Sequence, residues 1–344
     1  LYTKAVALCI HFCHVATVIL SFLNGKAAFV TGNSIHIVEV GPRDGLQNEP
    51  EIISTANKVQ MIKRGIAAGL RRFEVASFVH PKRVPQMADA EAVISALPDR
   101  KDVSYIGLCL NKRGVLRGIA TREGGARGID EAGCVIVASD TFGMKNQGQT
   151  IKDGIRENSE MIRLAKSEGM IAQVTISASF GCPFEGEVDP QTVVDIAKAM
   201  AEAEPAEIAL ADTIGVGVPT QVRDIVGRVK EVIGDIPLRA HFHNTRNTGI
   251  ANALAAVEAG VDVLDSSIAG LGGCPFAPKA TGNIATEDLI YMMDRSHIST
   301  GVDLESVIEI ATWFETVLGR PTPAMVSKAG GFPAPQAQEE EICA

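Results

Sequence analysis

Leu238-Arg-Ala-His-Phe-His243 is a short run whose polar residues gather at its C-terminal end. Read as a strand, it sends alternate side chains to opposite faces, so His241 and His243 point one way and Phe242 the other. Seven more runs have the same shape: 35–40, 72–76, 103–110, 133–138, 172–177, 207–211 and 262–267. Between them lie helical patterns such as 55–68, 153–168, 192–203, 221–233 and 248–259. Several close on a glycine (Gly69, Gly169, Gly234, Gly260), as helix C-termini do. Eight strand–helix units in roughly 250 residues have the size and rhythm of an α/β (β/α)8 TIM barrel. A doubly wound open sheet is the runner-up, but no Gly-x-Gly-x-x-Gly follows the first strand to support it.

The barrel reading makes a demand on the sequence, since barrel sites sit at the C-terminal strand ends. Polar residues unsuited to a core gather there. They are Arg43-Asp44, Glu74 and Ser77, Asn111, Ser139-Asp140, Ser177 and Ser179, Asp212-Thr213, His241 and His243, and Ser266-Ser267.

The 344 residues suffice for one large domain. With 46% hydrophobic residues, 5% aromatic and 33 glycines, small aliphatics dominate, as in tightly packed parallel sheets. A net charge of -9 argues against nucleic acid as a partner, and an anionic substrate would need a local basic group. Seven scattered cysteines, an odd number without zinc spacing, suit a reducing interior, cytoplasmic or, in a eukaryote, mitochondrial. The apolar run 5–23, flanked by Lys4 and Lys26, resembles a signal h-region or short membrane segment, but His11 and His14 interrupt it. Residues 1–30 are therefore set apart as an N-terminal extension, non-native or targeting. The barrel domain is expected at 34–320 with no membrane contact, and a Pro-rich, then acidic, C-terminal extension at 321–344.

Two imidazoles converging on one point make half of a divalent-metal site. Asp44 and Asn283 could complete the protein's share with two oxygens, and such a mixed set suits six-coordinate Mg²⁺ or Mn²⁺. Arg43 beside Asp44 is suited to an oxyanion, or is a surface ion pair. Glu74 and Asp212 orient the histidines or Arg43, or form rim salt bridges. Cys274, in the glycine-rich loop Gly270-Leu-Gly-Gly-Cys-Pro275, is a mobile thiol acid/base or a small residue under a lid. Cys182 has no partner motif and reads as structural.

Val38-Glu-Val-Gly-Pro-Arg-Asp-Gly-Leu-Gln-Asn-Glu49 resembles the first-strand signature of 3-hydroxy-3-methylglutaryl-CoA lyases, members of a barrel metallolyase superfamily. Ser266-Ser-Ile-Ala-Gly-Leu-Gly-Gly-Cys-Pro-Phe276 is similar to that family's catalytic-cysteine loop. Ala280-Thr-Gly-Asn-Ile-Ala-Thr-Glu-Asp-Leu289 is similar to the segment carrying its asparagine ligand. Ser77-Phe-Val, Val84-Pro-Gln-Met87 and Asp212-Thr-Ile-Gly-Val-Gly217 match as well, and the likeness runs from about 34 to 320. Condensing members of the superfamily typically have Glu-Gln where this chain has Leu46-Gln47.

The resemblance implies cleavage of 3-hydroxy-3-methylglutaryl-CoA to acetyl-CoA and acetoacetate, in leucine and ketone-body metabolism. It implies an acyl-CoA substrate, a divalent metal on Asp44, His241, His243 and Asn283, and a catalytic group of Arg43, Asp44, Glu74, Asp212, His241 and Cys274. Arg43 would steady the enolate, Glu74 and Asp212 would support the site, and Cys274 would be the loop acid/base. A homodimer is the assembly common in the family, though nothing in the sequence itself shows one. The family usually continues His-x-His as Asp-Thr-Tyr-Gly, whereas this chain has Asn244-Thr-Arg-Asn247. Arg246 is then expected to meet a carboxylate or a CoA phosphate, or else to be a surface residue at a helix start. The change bears on substrate identity, leaving a citramalyl-type thioester as the nearest alternative. A barrel that binds acyl-CoA without catalysis is disfavoured by the intact site residues, and a condensing synthase by Leu46 and the Cys274 loop.

Overall fold

The computed structural model describes residues 34–274 and 277–333, with side chains for all of these except 274 and 277–281. The extension 1–30 and the acidic end of the tail lie outside the described residues.

Eight parallel strands close into a barrel in chain order. They are β1 His36–Glu39, β2 Arg72–Ser77, β3 Ser104–Cys109, β4 Glu131–Val137, β5 Ile171–Ser177, β6 Ile208–Asp212, β7 Leu238–Phe242 and β8 Val263–Ser266. Pairing of Ile37 with Leu264 and of Val38 with Asp265 seals the ring between β1 and β8. The TIM barrel expected from the strand–helix rhythm is thus the fold. The expected strand boundaries hold to within about two residues. β4 begins earlier than expected because Glu131, a charge that interrupts the apolar pattern, pairs with Ile171 at the start of β5.

The outer helices include α1 Thr55–Ala67, α2 Ala90–Ser95, α3 Lys112–Ala120, α4 Asp140–Asn146, α5 Ile151–Ser167, α6 Pro190–Ala201, α7 Pro219–Ile233 and α8 Gly249–Glu258. Their starts are set by short polar caps: Thr150 Oγ1 accepts from Asp153 N at 3.2 Å, and Asp189 Oδ1 from Gln191 N at 2.8 Å. Gly69, Gly169, Gly234 and Gly260 all take positive φ where helices end, as the sequence suggests. The buried faces of the helices pack aliphatic side chains on the outward residues of the strands, and Phe73 and Phe242 are each at most 1% exposed.

After β8 the chain forms an antiparallel hairpin that the sequence did not announce, β9 Gly273–Cys274 with β10 Ala277–Thr281. α9 Thr286–Arg295 and α10 Leu304–Leu318 follow. The first part of the C-terminal extension is anchored. Glu315 Oε1 accepts from Thr322 N and Oγ1 at 2.7 and 2.9 Å, and Asp288 accepts from the amides of Met325 and Val326. Among the described residues, no helix is long and apolar enough to cross a membrane.

Candidate active site

The site begins with a wide turn at the end of β1. The Val40 carbonyl accepts from the amides of Arg43, Asp44 and Gly45 at 3.1, 2.7 and 3.2 Å. Pro42, which has no amide to place, opens the turn. The turn aims Arg43 and Asp44 over the barrel mouth. A Cβ at Gly45 would lie 2.8 Å from Ser267 Oγ and 3.0 Å from Leu271 Cβ, so glycine lets this turn sit against the loop after β8.

Asp44 Oδ2 lies 3.8 Å from His241 Nε2 and 3.9 Å from His243 Nε2. The two imidazoles, with ring centres 5.1 Å apart, face the carboxylate from one side, while Phe242 packs outward against Phe180. Period-two alternation thus does what the sequence required of it. Asn283 joins through its backbone, which bridges to that of His243. Its amide nitrogen donates to Leu271 O at 3.1 Å, and its Oδ1 is buried with no hydrogen-bond partner. Buried oxygens are seldom left so. With the Asn283 backbone bridged to His243, its orphaned carbonyl oxygen adds to two imidazoles and a carboxylate the donor types of a hard or borderline divalent cation, so these residues fit one.

Arg43 is not a surface residue. Its side chain is 11% exposed and that of Asp44 15%. Arg43 Nη1 donates to Asp44 Oδ1, and Nε donates to Glu74 Oε2 at 2.7 Å. Burial works against the charge on Asp44, but the Arg43 guanidinium and the imidazoles outweigh it and hold the carboxylate well below its usual range. Glu74 is pushed up, since its burial outweighs Arg43. The partner of Glu74 is thus Arg43, by hydrogen bond and ion pair.

Asp212 turns to its own loop. Its two oxygens accept from the amides of Val216 and Gly217 at 3.0 and 2.9 Å and close the loop after β6 into a ring. Burial raises its pKa, and the two amides oppose that. Thr213, in the same loop, bonds Ser177 Oγ at 2.9 Å on the cavity wall. Arg246 is exposed just before α8, the surface position at a helix start that was one of its two expected places, and donates Nη1 to the carbonyls of Ile214 and Gly215 at 2.9 and 3.0 Å. It latches the β7 loop onto the β6 loop.

Arg43, Asp44, Glu74, His241 and His243 line a cavity of about 340 Å³, together with Thr175. Gly273 also lines it, so the hairpin backbone carrying Cys274 stands at its mouth. The Cys274 side chain is outside those described. A larger cavity of about 570 Å³ lies at the opposite, N-terminal ends of the strands against Arg71, Arg72 and Lys101, away from this cluster.

Three functional neighbours were missed by the sequence reading. Asp265, on β8, accepts from His241 Nδ1 at 3.1 Å. Arg239, two residues before His241 and on the same face, donates Nη1 to both oxygens of Asp265 at 2.9 and 3.0 Å. Glu39, at the end of β1, accepts from Gly41 N, Ile268 N and Thr286 Oγ1 at 2.8, 3.0 and 2.7 Å, tying the β1 turn to the loop after β8. Burial pushes Glu39 up to about 7 against these bonds. A charged residue inside an otherwise apolar strand was the available signal for all three.

The family model HMGL-like matches residues 34–313. The chain belongs to the HMGL-like family. It is a lyase of that family, and the comparisons differ on substrate. It is 40% identical over 307 residues to an (R)-citramalyl-CoA lyase of Chloroflexus aurantiacus, covering 86% of this chain and 95% of that one. It is 39% identical to the mitochondrial hydroxymethylglutaryl-CoA lyase of Bos taurus, covering 86% and 89%. A solved HMG-CoA lyase of Acinetobacter baumannii, in complex with coenzyme A and 3-methylmalate, superposes with a TM-score of 0.81 at 36% identity, covering 90% of this chain and 100% of that one.

Proposed function

We propose that this HMGL-like protein is a metal-dependent carbon–carbon lyase that cleaves 3-hydroxy-3-methylglutaryl-CoA to acetyl-CoA and acetoacetate. The observation that carries the metal reading is the buried Oδ1 of Asn283, unpartnered among the described residues, on a backbone bridged to His243 in the Asp44–His241–His243 cluster. Those four residues would hold Mg²⁺ or Mn²⁺. A divalent ion bound there supplies Lewis acidity, which lowers the pKa of a coordinated hydroxyl by several units.

The chain's own groups do the rest. The substrate's tertiary hydroxyl gives its proton to the Asp44 carboxylate and becomes the ketone of acetoacetate. The C2–C3 bond breaks, and its electrons pass to the acetyl thioester as an enolate. Arg43, fixed by Glu74 and Asp44, offers its guanidinium to the enolate oxygen. Cys274, carried by the hairpin at the cavity mouth, protonates the enolate carbon, and acetyl-CoA leaves. The barrel domain, with its first loop and hairpin, forms the acyl-CoA site.

A second reading has a specific support. The (R)-citramalyl-CoA lyase relative is as similar as the hydroxymethylglutaryl-CoA lyases, and the Asn244-Thr-Arg-Asn247 loop departs from the usual pattern of the latter. Such a substrate would give pyruvate in place of acetoacetate by the same bond cleavage. The test supplies purified protein and Mn²⁺ with each thioester separately, with a chelator control. Metal-dependent acetoacetate release faster than pyruvate release is the expected result. Faster pyruvate release would select the second reading. Cleavage of neither, with Mn²⁺ bound, would overturn both.

A further inference from the structure

A TIM-barrel interior is ordinarily filled by layers of branched apolar side chains. This one contains a column of charge. Arg72 on β2 donates to Glu131 Oε1 and Oε2 at 2.8 and 2.6 Å and to Glu207 Oε2 at 2.7 Å. Glu207 Oε1 is 2.7 Å from Arg239 Nε. Arg239 grips both oxygens of Asp265 and also donates Nη2 to Gln173 and Thr175. Asp265 Oδ2 reaches His241 Nδ1. Arg239, Glu207 and Asp265 are each 5% exposed.

Such a column is a poor stabiliser. Removing charges from water costs as much as their attraction returns, and apolar residues of equal volume do as well. What it does provide is a fixed direction. Asp265 receives two hydrogen bonds from Arg239, a permanent cation buried against it, and a carboxyl paired in that way is a carboxylate. A carboxylate can only accept. His241 must therefore place its ring proton on Nδ1, which leaves the Nε2 lone pair facing Asp44 Oδ2 across 3.8 Å.

We infer that Asp265, held by Arg239, is a positioning residue that fixes the tautomer and ring angle of His241 and so presents Nε2 as a metal donor. The inference rests on the metal reading above. Gln173 and Glu207 brace Arg239 from below, so the direction of one imidazole is set by strands β5 to β8 together. Groups that orient a ligating histidine in this way typically contribute about 10–100-fold to metal affinity.

The test titrates wild-type protein and Asp265→Asn with Mn²⁺, read by electron paramagnetic resonance, alongside thermal melts of both. An amide can turn either its oxygen or its NH2 to Nδ1, so it no longer compels the proton to sit there, and it has no charge to hold it. Affinity lowered about 10–100-fold, with the two metal-free melts close together, is the expected result. Equal affinities would overturn the inference, as would a lowered melting temperature with affinity intact. Independently, ¹⁵N-histidine spectra of metal-free wild-type protein, taken at a pH high enough for the ring to be neutral, should show His241 protonated on Nδ1 and bare on Nε2. The opposite tautomer would overturn the inference even if Asp265→Asn fails to fold. If wild-type protein binds no Mn²⁺ while the tautomer is as expected, the metal reading fails and the positioning by Asp265 stands.

Discussion

Asn283 and His243 pair their backbones as an isolated antiparallel bridge, which brings an amide from the segment after the hairpin beside a histidine at the end of β7. The Asn283 amide is oriented by its own nitrogen, which donates to Leu271 O, and its buried Oδ1 has no hydrogen-bond donor among the described residues. Asn283→Leu removes the oxygen and keeps the volume. It should lower Mn²⁺ affinity by more than about tenfold, or ~1.4 kcal/mol. Its metal-free stability should stay close to wild type, because relief of the unsatisfied oxygen, about 1–3 kcal/mol, is offset by loss of the bond to Leu271 O. Calorimetric titration and a thermal melt read both. Unchanged affinity would remove Asn283 from the metal site.

Arg43 is clamped between Asp44 and Glu74 before any substrate arrives. An oxyanion donor that needs no reorganisation is worth about 10²–10³ in kcat. Arg43→Met should therefore lower kcat by about that factor while KM changes little. Glu74→Gln keeps one hydrogen-bond acceptor for the guanidinium and should lower kcat less than Arg43→Met does. Steady-state kinetics at saturating metal decide it. A Glu74→Gln loss as large as that of Arg43→Met would mean that Glu74 does more than orient Arg43.

Glu287, at the start of α9, is buried, and one oxygen accepts from Ala269 N at 3.0 Å. Burial pushes it up to about 8 from 4.5, and Glu39 is pushed up to about 7. Between the unfolded and folded values the folded protein holds more protons than the unfolded chain. Stability from these two groups is therefore full below about pH 4.5 and falls as pH rises through about 7 and 8. The melting temperature of the metal-free protein should decline between pH 5 and pH 8 on the order of several degrees. Glu287→Gln should flatten that decline. A wild-type curve rising over the same window would contradict the assignment.

Arg246 joins the loops after β6 and β7 through the carbonyls of Ile214 and Gly215. The β6 loop carries Thr213 to the cavity wall. Arg246→Ala frees that loop and should raise KM for the thioester several-fold, with a smaller change in kcat. Kinetics with both candidate thioesters would also show whether the latch favours one. Identical KM and kcat with both would show that the latch has no bearing on substrate.

The sequence by itself determined the barrel, because eight strand–helix repeats, each with polar residues at its C-terminal end, admit few other arrangements. It also placed His241 and His243 on one face, because strand alternation is a property of the local backbone. The motifs around Arg43-Asp44, Cys274 and Asn283 pointed to the family for the same reason, being local and specific. The sequence did not show which partners Glu74 and Asp212 would choose. Both are acids at strand ends, yet one meets a guanidinium and the other two backbone amides of its own loop. Nor did it show that Arg239 and Asp265, on neighbouring strands, would meet beneath His241, or that Arg246 would turn to a loop. These are contacts between segments far apart in the chain. They depend on the register of the closed sheet and on which loop lies within a side chain's reach. Strand pattern fixes the face a residue occupies, and only closure of the barrel fixes what it faces there.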